Sequence, residues 1–435
     1  MNKKSIWSWA LYDWANSAFA TTVMAGFFPL FFNAYWADPN NPAESTFYLG
    51  IANSMYAIIV ALLAPLFGAI ADRGNARKKF LIFFAFLGSV FTASLWVVSQ
   101  GNWLLAIIVY IGASIGFSSG NIFYDSLLLT VAPRDKLNMV SSLGFSMGYI
   151  GGGILFALNV LMFLNPEFFG IPDQSVAVKI SFLSVAVWWI LFTIPLILYV
   201  REPMVSNSIT IRRAIPLGFH QLRNTLHQLK HFKIVSLFLL AYWFYIDGVD
   251  TIVKMAVDYG ISIGFKSSTL MTALLIVQFI AFPAALIYNW VAIKIGTKEA
   301  IMTSIVAYIF ITILGYFMHS ETHFYILAIL IGLFQGGIQA LSRSLYSTII
   351  PKSQAAEFFG FFNMLGKFAA VIGPLLIGSV TFISGNARLG ILSILFLFIF
   401  GAFLLMLVDF KEGERLAKEF DQENLNLIDM KRNKT

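Results

Sequence analysis

Asn121-Ile122-Phe123-Tyr124-Asp125-Ser126-Leu127-Leu128-Leu129-Thr130-Val131-Ala132-Pro133 and Gln339-Ala340-Leu341-Ser342-Arg343-Ser344-Leu345-Tyr346-Ser347-Thr348-Ile349-Ile350-Pro351 are two copies of one stretch, 218 positions apart. The offset sets Asn121 on Gln339, Asp125 on Arg343, Ser126 on Ser344, Leu127 on Leu345, Thr130 on Thr348, Pro133 on Pro351 and, further on, Gly148 on Gly366. Upstream the register slips by two, so that Gly116 and Gly120 answer Gly332 and Gly336. Near the front of each copy, Asp13-Trp14-Ala15-Asn16 answers Asp247-Gly248-Val249-Asp250. Self-similarity of this kind means a chain assembled from two like halves.

Composition decides the solvent. Of 435 residues 58% are hydrophobic and 12% charged, about half the charged share of an ordinary soluble chain. A chain of this length has too much surface to hide so many apolar residues from water. Apolar runs predict spans near 6–36, 47–71, 80–99, 103–132, 138–164, 176–200, 234–261, 268–293, 299–318, 323–350, 357–383 and 387–409. The expected fold class is an all-α membrane protein of twelve transmembrane helices in two pseudo-symmetric six-helix bundles, the plan of a two-bundle transporter. The expected domains are a bundle over 1–200, a linker over 201–233, a second bundle over 234–410 and a solvated tail over 411–435. In the linker, Phe219, Leu222, Leu226, Leu229 and Phe232 keep the spacing of an amphipathic helix lying on a membrane surface. The first helix reads as retained rather than cleaved, because Asp13 and Asn16 interrupt its apolar run and the run continues past them.

The net charge of +7 is a matter of topology. Most lysines and arginines fall in the segments that a cytoplasmic N-terminus places inside, and Lys179, Lys266 and Arg388 are those left outside. The positive-inside rule then puts both termini in the cytoplasm, in a bacterial inner membrane, and removes nucleic acid as a partner. With no cysteine, disulfides, thiolate metal sites and cysteine nucleophiles are excluded together. His227 and His231 stand at i, i+4 but lack a third ligand. No cofactor or metal is expected. An intramembrane enzyme finds no support either, since all five histidines lie in connections or at span ends and Gly360–Lys367 misses the spacing of a phosphate loop.

Charges inside the spans call for a use, because each costs about 2.5 to 3.5 kcal/mol at mid-membrane. Asp247, Asp250, Lys254 and Asp258 form one helical stripe, Ser114, Ser118, Asn121 and Asp125 a second, and Gln335, Gln339, Arg343 and Tyr346 a third. These faces must line a cavity or pair with each other. With Asp13 there are five acids against Lys254, Arg343 and Lys367, so carboxylates are left over, and an unpaired buried carboxylate takes up a proton. Asp13 and Asp247, equivalent in the repeat, lead as proton or substrate groups, with Asn16 and Asp250 one turn on. Arg343 would anchor a substrate carboxylate or hold Asp125. The expected substrate- and proton-binding set is therefore Asp13, Asn16, Asn121, Asp125, Asp247, Asp250, Lys254, Gln339 and Arg343.

Two motifs carry a family resemblance. Gly68-Ala69-Ile70-Ala71-Asp72-Arg73-Gly74-Asn75-Ala76-Arg77-Lys78-Lys79 resembles the loop between the second and third spans of the major facilitator superfamily. There Asp72 can accept from the start of a neighbouring helix while Arg73 pairs with acids of its own bundle, so Asp72 and Arg73 are the expected gating pair. Ala10-Leu11-Tyr12-Asp13-Trp14-Ala15-Asn16-Ser17-Ala18-Phe19 is similar to the signature of the vacuolar amino-acid effluxer-like, autophagy-related branch. The resemblance implies a transporter exporting small solutes, with amino acids the substrates of fungal members. A zwitterion needs both signs of charge at mid-membrane, which Arg343 and Asp13, Asp125 or Asp247 supply. A sugar or other small solute stays open through Trp14, Tyr12, Gln335 and Gln339, and a non-transporting receptor or scaffold is the remaining reading. Expected partners are a small-molecule solute, protons and membrane lipids, with the monomer as the working unit.

Overall fold

The computed structural model describes residues 3–37, 42–202, 216, 217, 219, 220, 233–262, 265–384 and 387–432. Twelve helical segments follow the hydropathy runs in order: α1 (Lys3–Trp36), α2 (Pro42–Gly74), α3 (Arg77–Val97), α4 (Trp103–Val131), α5 (Leu137–Leu164), α6 (Gln174–Tyr199), α7 (Lys233–Ser262), α8 (Ser267–Ile295), α9 (Thr297–Tyr316), α10 (Glu321–Ile349), α11 (Ala355–Ser384) and α12, made of Ala387–Leu392 and Leu395–Met406. Eleven stretches among the described residues are long and apolar enough to cross a membrane, and α11 adds a 30-residue helix. Most of the linker lies outside the described residues, His227 and His231 included, as do the side chains of Lys254, Asp258 and Lys367.

Local chemistry sets the ends. Asp173 accepts from the amides of Ser175 and Val176 at the start of α6, and Ser320 from that of His323 at the start of α10. Gly296, at φ +100°, makes the turn from α8 to α9 that an L side chain resists. α1 widens into π-turns over Phe19–Phe27 and Phe32–Trp36. Leu62, Phe86, Val187, Ile293 and Phe310 point outward and exposed, as hydrocarbon contact requires.

In the first six helices α3 packs on α4, and α1 on α5 and α6; in the last six α8 packs on α10, and α7 on α11 and α12. The two sets meet through α2 against α11, α5 against α8 and α10, and α4 against α11. The repeat is visible in small things. At the start of α3 Lys78 Nζ donates to the carbonyls of Ile197 and Val200 at the end of α6; at the start of α9 Lys298 Nζ donates to those of Met406 and Val408 at the end of α12.

The tail departs from its reading as a solvated extension. It forms α13 (Phe410–Arg432), with Gly413 and Ala417 buried and Phe410, Leu416 and Phe420 half-buried against the body. The outward charges, Glu412, Glu414, Arg415, Lys418 and Glu419, pair along the helix. Abundant charge hid a narrow apolar stripe at three- and four-residue spacing.

Candidate functional site

Arg343 is a residue of the second half held almost wholly by the first. It sits six residues before the end of α10, roughly 9 Å along the helix axis, and is 2% exposed. Its Nη1 donates to Asp125 Oδ1 at 3.0 Å, its Nε to Ser141 Oγ at 2.9 Å and its Nη2 to the Ser141 carbonyl at 2.9 Å. Asp13 Oδ2 stands 4.0 Å from Nη1. The guanidinium also lies over the rings of Phe145, Trp9 and Tyr124, at 4.2, 5.1 and 5.3 Å. α5 comes this close because Gly144 and Gly148 carry no side chain: a Cβ at 144 would stand 2.6 Å from Tyr124 Oη, and one at 148 would stand 2.6 Å from Ser17 Oγ.

The two carboxylates are held differently. Asp125 takes the short Arg343 bond and a second donor from the other half, Asn363 Nδ2 at 3.2 Å. Asp13 accepts from the hydroxyls of Ser17 and Tyr124, at 3.1 and 3.2 Å, and has Arg343 only at arm's length. Two acids facing one cation in a desolvated pocket leave one excess negative charge if both are ionised.

The remaining expected residues fall into three groups. Asn16 and Asn121 hydrogen-bond each other, Nδ2 to Oδ1, and Gln339 accepts from Tyr149 Oη at 2.7 Å, one turn from Arg343. Asp250 is half-buried, within electrostatic range of Tyr56, Tyr149, Tyr242 and Tyr308. Asp247 corrects the pairing with Asp13 drawn from the repeat. It is fully buried within the second half, where its two oxygens accept the Gly373 amide at 3.1 Å and Oδ1 accepts from Thr251. The sequence sets Pro374 next to Gly373, and a proline inside a helix loosens the backbone bonding that such a carboxylate makes good.

At the gate, Asp72 accepts from the amides of Ala356 and Glu357 at 3.1 and 2.9 Å, on the first turn of α11. The ion pair made here is that of Arg77, whose Nε lies 2.6 Å from Asp72 Oδ1 while its Nη2 reaches the Lys352 carbonyl. Arg73 is exposed and enters none of the ion pairs among the described residues. A run of bonds then joins the halves inward from this basic end: Arg134 to the Thr348 carbonyl, Asn138 to Thr297, Ser344 to Asn138, Ser141 to the Ala340 carbonyl and Ser146 to the Phe282 carbonyl. The basic end is closed. One turn beyond Gln339, at Gln335, begins a largely apolar cavity of about 260 Å³, with Thr21, Leu274, Gln278, Thr312 and Ile331 in its wall. Among the described residues no group of three or more His, Asp or Glu could hold a metal ion.

Ser141, Tyr124, Phe145 and Asn363 are site residues that the sequence reading passed over. For two of them a signal existed. The 218-residue offset that sets Asp125 on Arg343 also sets Phe145 on Asn363, and each of these flanks the charge contributed by the opposite half.

The model of the family described as "Vacuole effluxer Atg22 like" matches residues 40–138 and 129–418. The MFS-type transporter YxiO of Bacillus subtilis (strain 168) is 40% identical over 411 residues, covering 92% of this chain and 94% of that one. Autophagy-related protein 22 of Saccharomyces cerevisiae (strain ATCC 204508 / S288c) is 24% identical, covering 90% of this chain and 82% of that one. Among solved structures, the proton:xylose symporter XylE bound to 6-bromo-6-deoxy-D-glucose superposes with a TM-score of 0.69 at 15% identity, over 93% of this chain and 94% of that one. A variant of the E. coli fucose:proton symporter FucP gives 0.60 at 14%, over 93% and 97%. The fold is that of the major facilitator superfamily.

Proposed function

The chain belongs to the Atg22-like vacuole effluxer family of MFS-type transporters, and on that premise we propose that it exports amino acids across a bacterial inner membrane, coupled to protons. The observation that carries this reading is a guanidinium and two carboxylates gathered at one buried point between the halves. A zwitterion needs both signs, and alternating access needs a lock that its ligands can open. The basic end is the cytoplasmic one by the positive-inside rule, so the closed end faces inward. The two halves, 1–200 and 234–410, rock about the α4 and α10 crossing.

Coupling falls to Asp13. Asp125 has Arg343 and Asn363 as donors, which favour its ionised form. Asp13 is held by two hydroxyls, which can turn to suit either protonation state. Neutralising Asp13 removes the excess charge around Arg343 and tightens its bond to Asp125. Losing that proton gives Arg343 two competing anions, and a substrate carboxylate arriving through the cavity adds a third.

The test is uptake of a labelled amino-acid mixture, and in parallel a sugar mixture, into proteoliposomes with and without an imposed pH gradient. Gradient-driven accumulation of amino acids is the expected result; accumulation of sugars alone would replace the substrate, in line with the Tyr149 and Gln339 pair. Asp13→Asn should fold, lose gradient-driven accumulation by at least about ten-fold and keep solute exchange. Full accumulation by that variant would remove Asp13 from the coupling role.

A further inference from the structure

The C-terminal helix α13 is fastened to one half and, among the described residues, makes an ion pair with the other through Asp421. Its body lies on the second half. Phe410 meets the Phe238 ring edge-on at 5.7 Å, and Gly413 lies so close to Ile234 and Ile349 that a Cβ there would stand 2.9 Å from each. Ala417 is 1% exposed. Three helical turns on from Phe410, Asp421 turns toward the connection between α10 and α11. Its Oδ2 accepts the Lys352 amide at 3.0 Å; its Oδ1 accepts the Ser353 amide at 3.3 Å and the Ser353 hydroxyl at 3.0 Å. The same carboxylate stands 3.8 Å from Arg134 Nη2, on the connection between α4 and α5 of the first half. Arg134 in turn donates to the Thr348 carbonyl at the end of α10.

We propose that α13 is a built-in latch that holds the basic end closed, with Asp421 as its catch on Arg134. The inference rests on the alternating-access reading, since a latch needs two states to choose between. Its logic is mechanical. Separation of the halves at this end must draw Arg134 away from Thr348 and Asp421 together, while the contacts of Phe410, Gly413 and Ala417 travel with the second half and lose nothing. The catch thus acts on one state alone, which is what shifts a population. Asp421 also sits on the amides just before α11, whose first turn is held by Asp72 from the other side. The stretch from Lys352 to Glu357 is thus gripped by two carboxylates, Asp72 of the first half on Ala356 and Glu357 and Asp421 of the tail on Lys352 and Ser353.

The chain has no cysteine, so Lys79→Cys and Lys294→Cys, both exposed and one on each half, give a clean pair for spin labels across the basic end. Pulsed distance measurement in the otherwise full-length protein should show the wide separation populated about three- to ten-fold more in Asp421→Ala than in the parent. Arg134→Ala should do the same, and Glu419→Ala, on the outward face of α13, should leave the distribution unchanged. A second measurement guards against unfolding: all variants should keep the parent elution volume and helical circular dichroism. Identical distributions in folded Asp421→Ala and parent would overturn the latch, as would an equal shift in Glu419→Ala. Amino-acid uptake, measured on the same samples, reports on the transport reading separately.

Discussion

The helix pairs α2 with α11 and α8 with α5 are equivalent under the repeat, yet they close the basic end by different chemistry. At α2 and α11 backbone meets backbone. Ala64 and Gly68 on one helix face Ala356 and Gly360 on the other, and a Cβ on Gly360 would stand 2.6 Å from the Ala64 carbonyl and from Pro65 Cα. Charge is added to this contact through Asp72, the start of α11 and Arg77. At α5 and α8 the approach is looser, with a Cβ on Gly153 meeting Gln278 at 3.2 Å. The bonds from α5 to α8 and to the start of α9 are neutral, from Ser146 to the Phe282 carbonyl and from Asn138 to Thr297. Duplication preserved the helices and let the fastening diverge. One side is a close-fitting, charged seam that must be fully made or fully broken; the other is a set of polar bonds that water can replace.

Variants test whether the two seams differ as described. The largest effect belongs to the crossing that both sides enclose: Arg343→Ala leaves Asp125 and Asp13 without their cation, and transport should fall by about 100-fold or more, measured as initial uptake in proteoliposomes. Gly68→Leu should come next, with a loss beyond about ten-fold because the α2 and α11 backbones cannot separate without undoing the Asp72 contact. Gly153→Ala, on the looser side, should retain most activity; equal damage from the two would erase the distinction. Asp72→Asn should destabilise by about 1 to 3 kcal/mol, and Asn138→Ala by about 1 kcal/mol, in thermal unfolding in detergent. The smallest effect is expected of Tyr149→Phe, about 1 kcal/mol or less, since Gln339 can turn to water in the adjoining cavity.

Much of this was legible beforehand. The spans follow from hydropathy, and the repeat set Asp125 opposite Arg343 before any geometry was known. The resemblance in the loop after α2 pointed to Asp72 and the start of a neighbouring helix. Arg77 was hidden because its partner is fixed by the turn at Asn75, where the chain takes φ +45° and brings the start of α3 back over Asp72. Ser141 was hidden because a serine on an apolar helix is ordinary; its value comes from a hydroxyl that accepts from Arg343 while donating to the Ala340 carbonyl. Asp247 misled because equivalence in the repeat gives equal depth and says nothing of which groups the opposite half brings near. Asp13 stands 4.0 Å from Arg343, whereas Asp247 accepts the Gly373 amide of α11.

Composition and spacing were enough to establish an integral membrane protein of two like halves with charges that must be buried. Those properties depend on local residue content and on periodicity along one helix, and hydrocarbon forces both. The choice of partners came from the folded chain: that Arg343 is held by the first half, that Arg77 pairs with Asp72, that Asp247 serves α11, and that α13 docks. Partnership depends on which helices become neighbours and at what rotation, and residues as many as 285 positions apart must meet before any of those bonds exists.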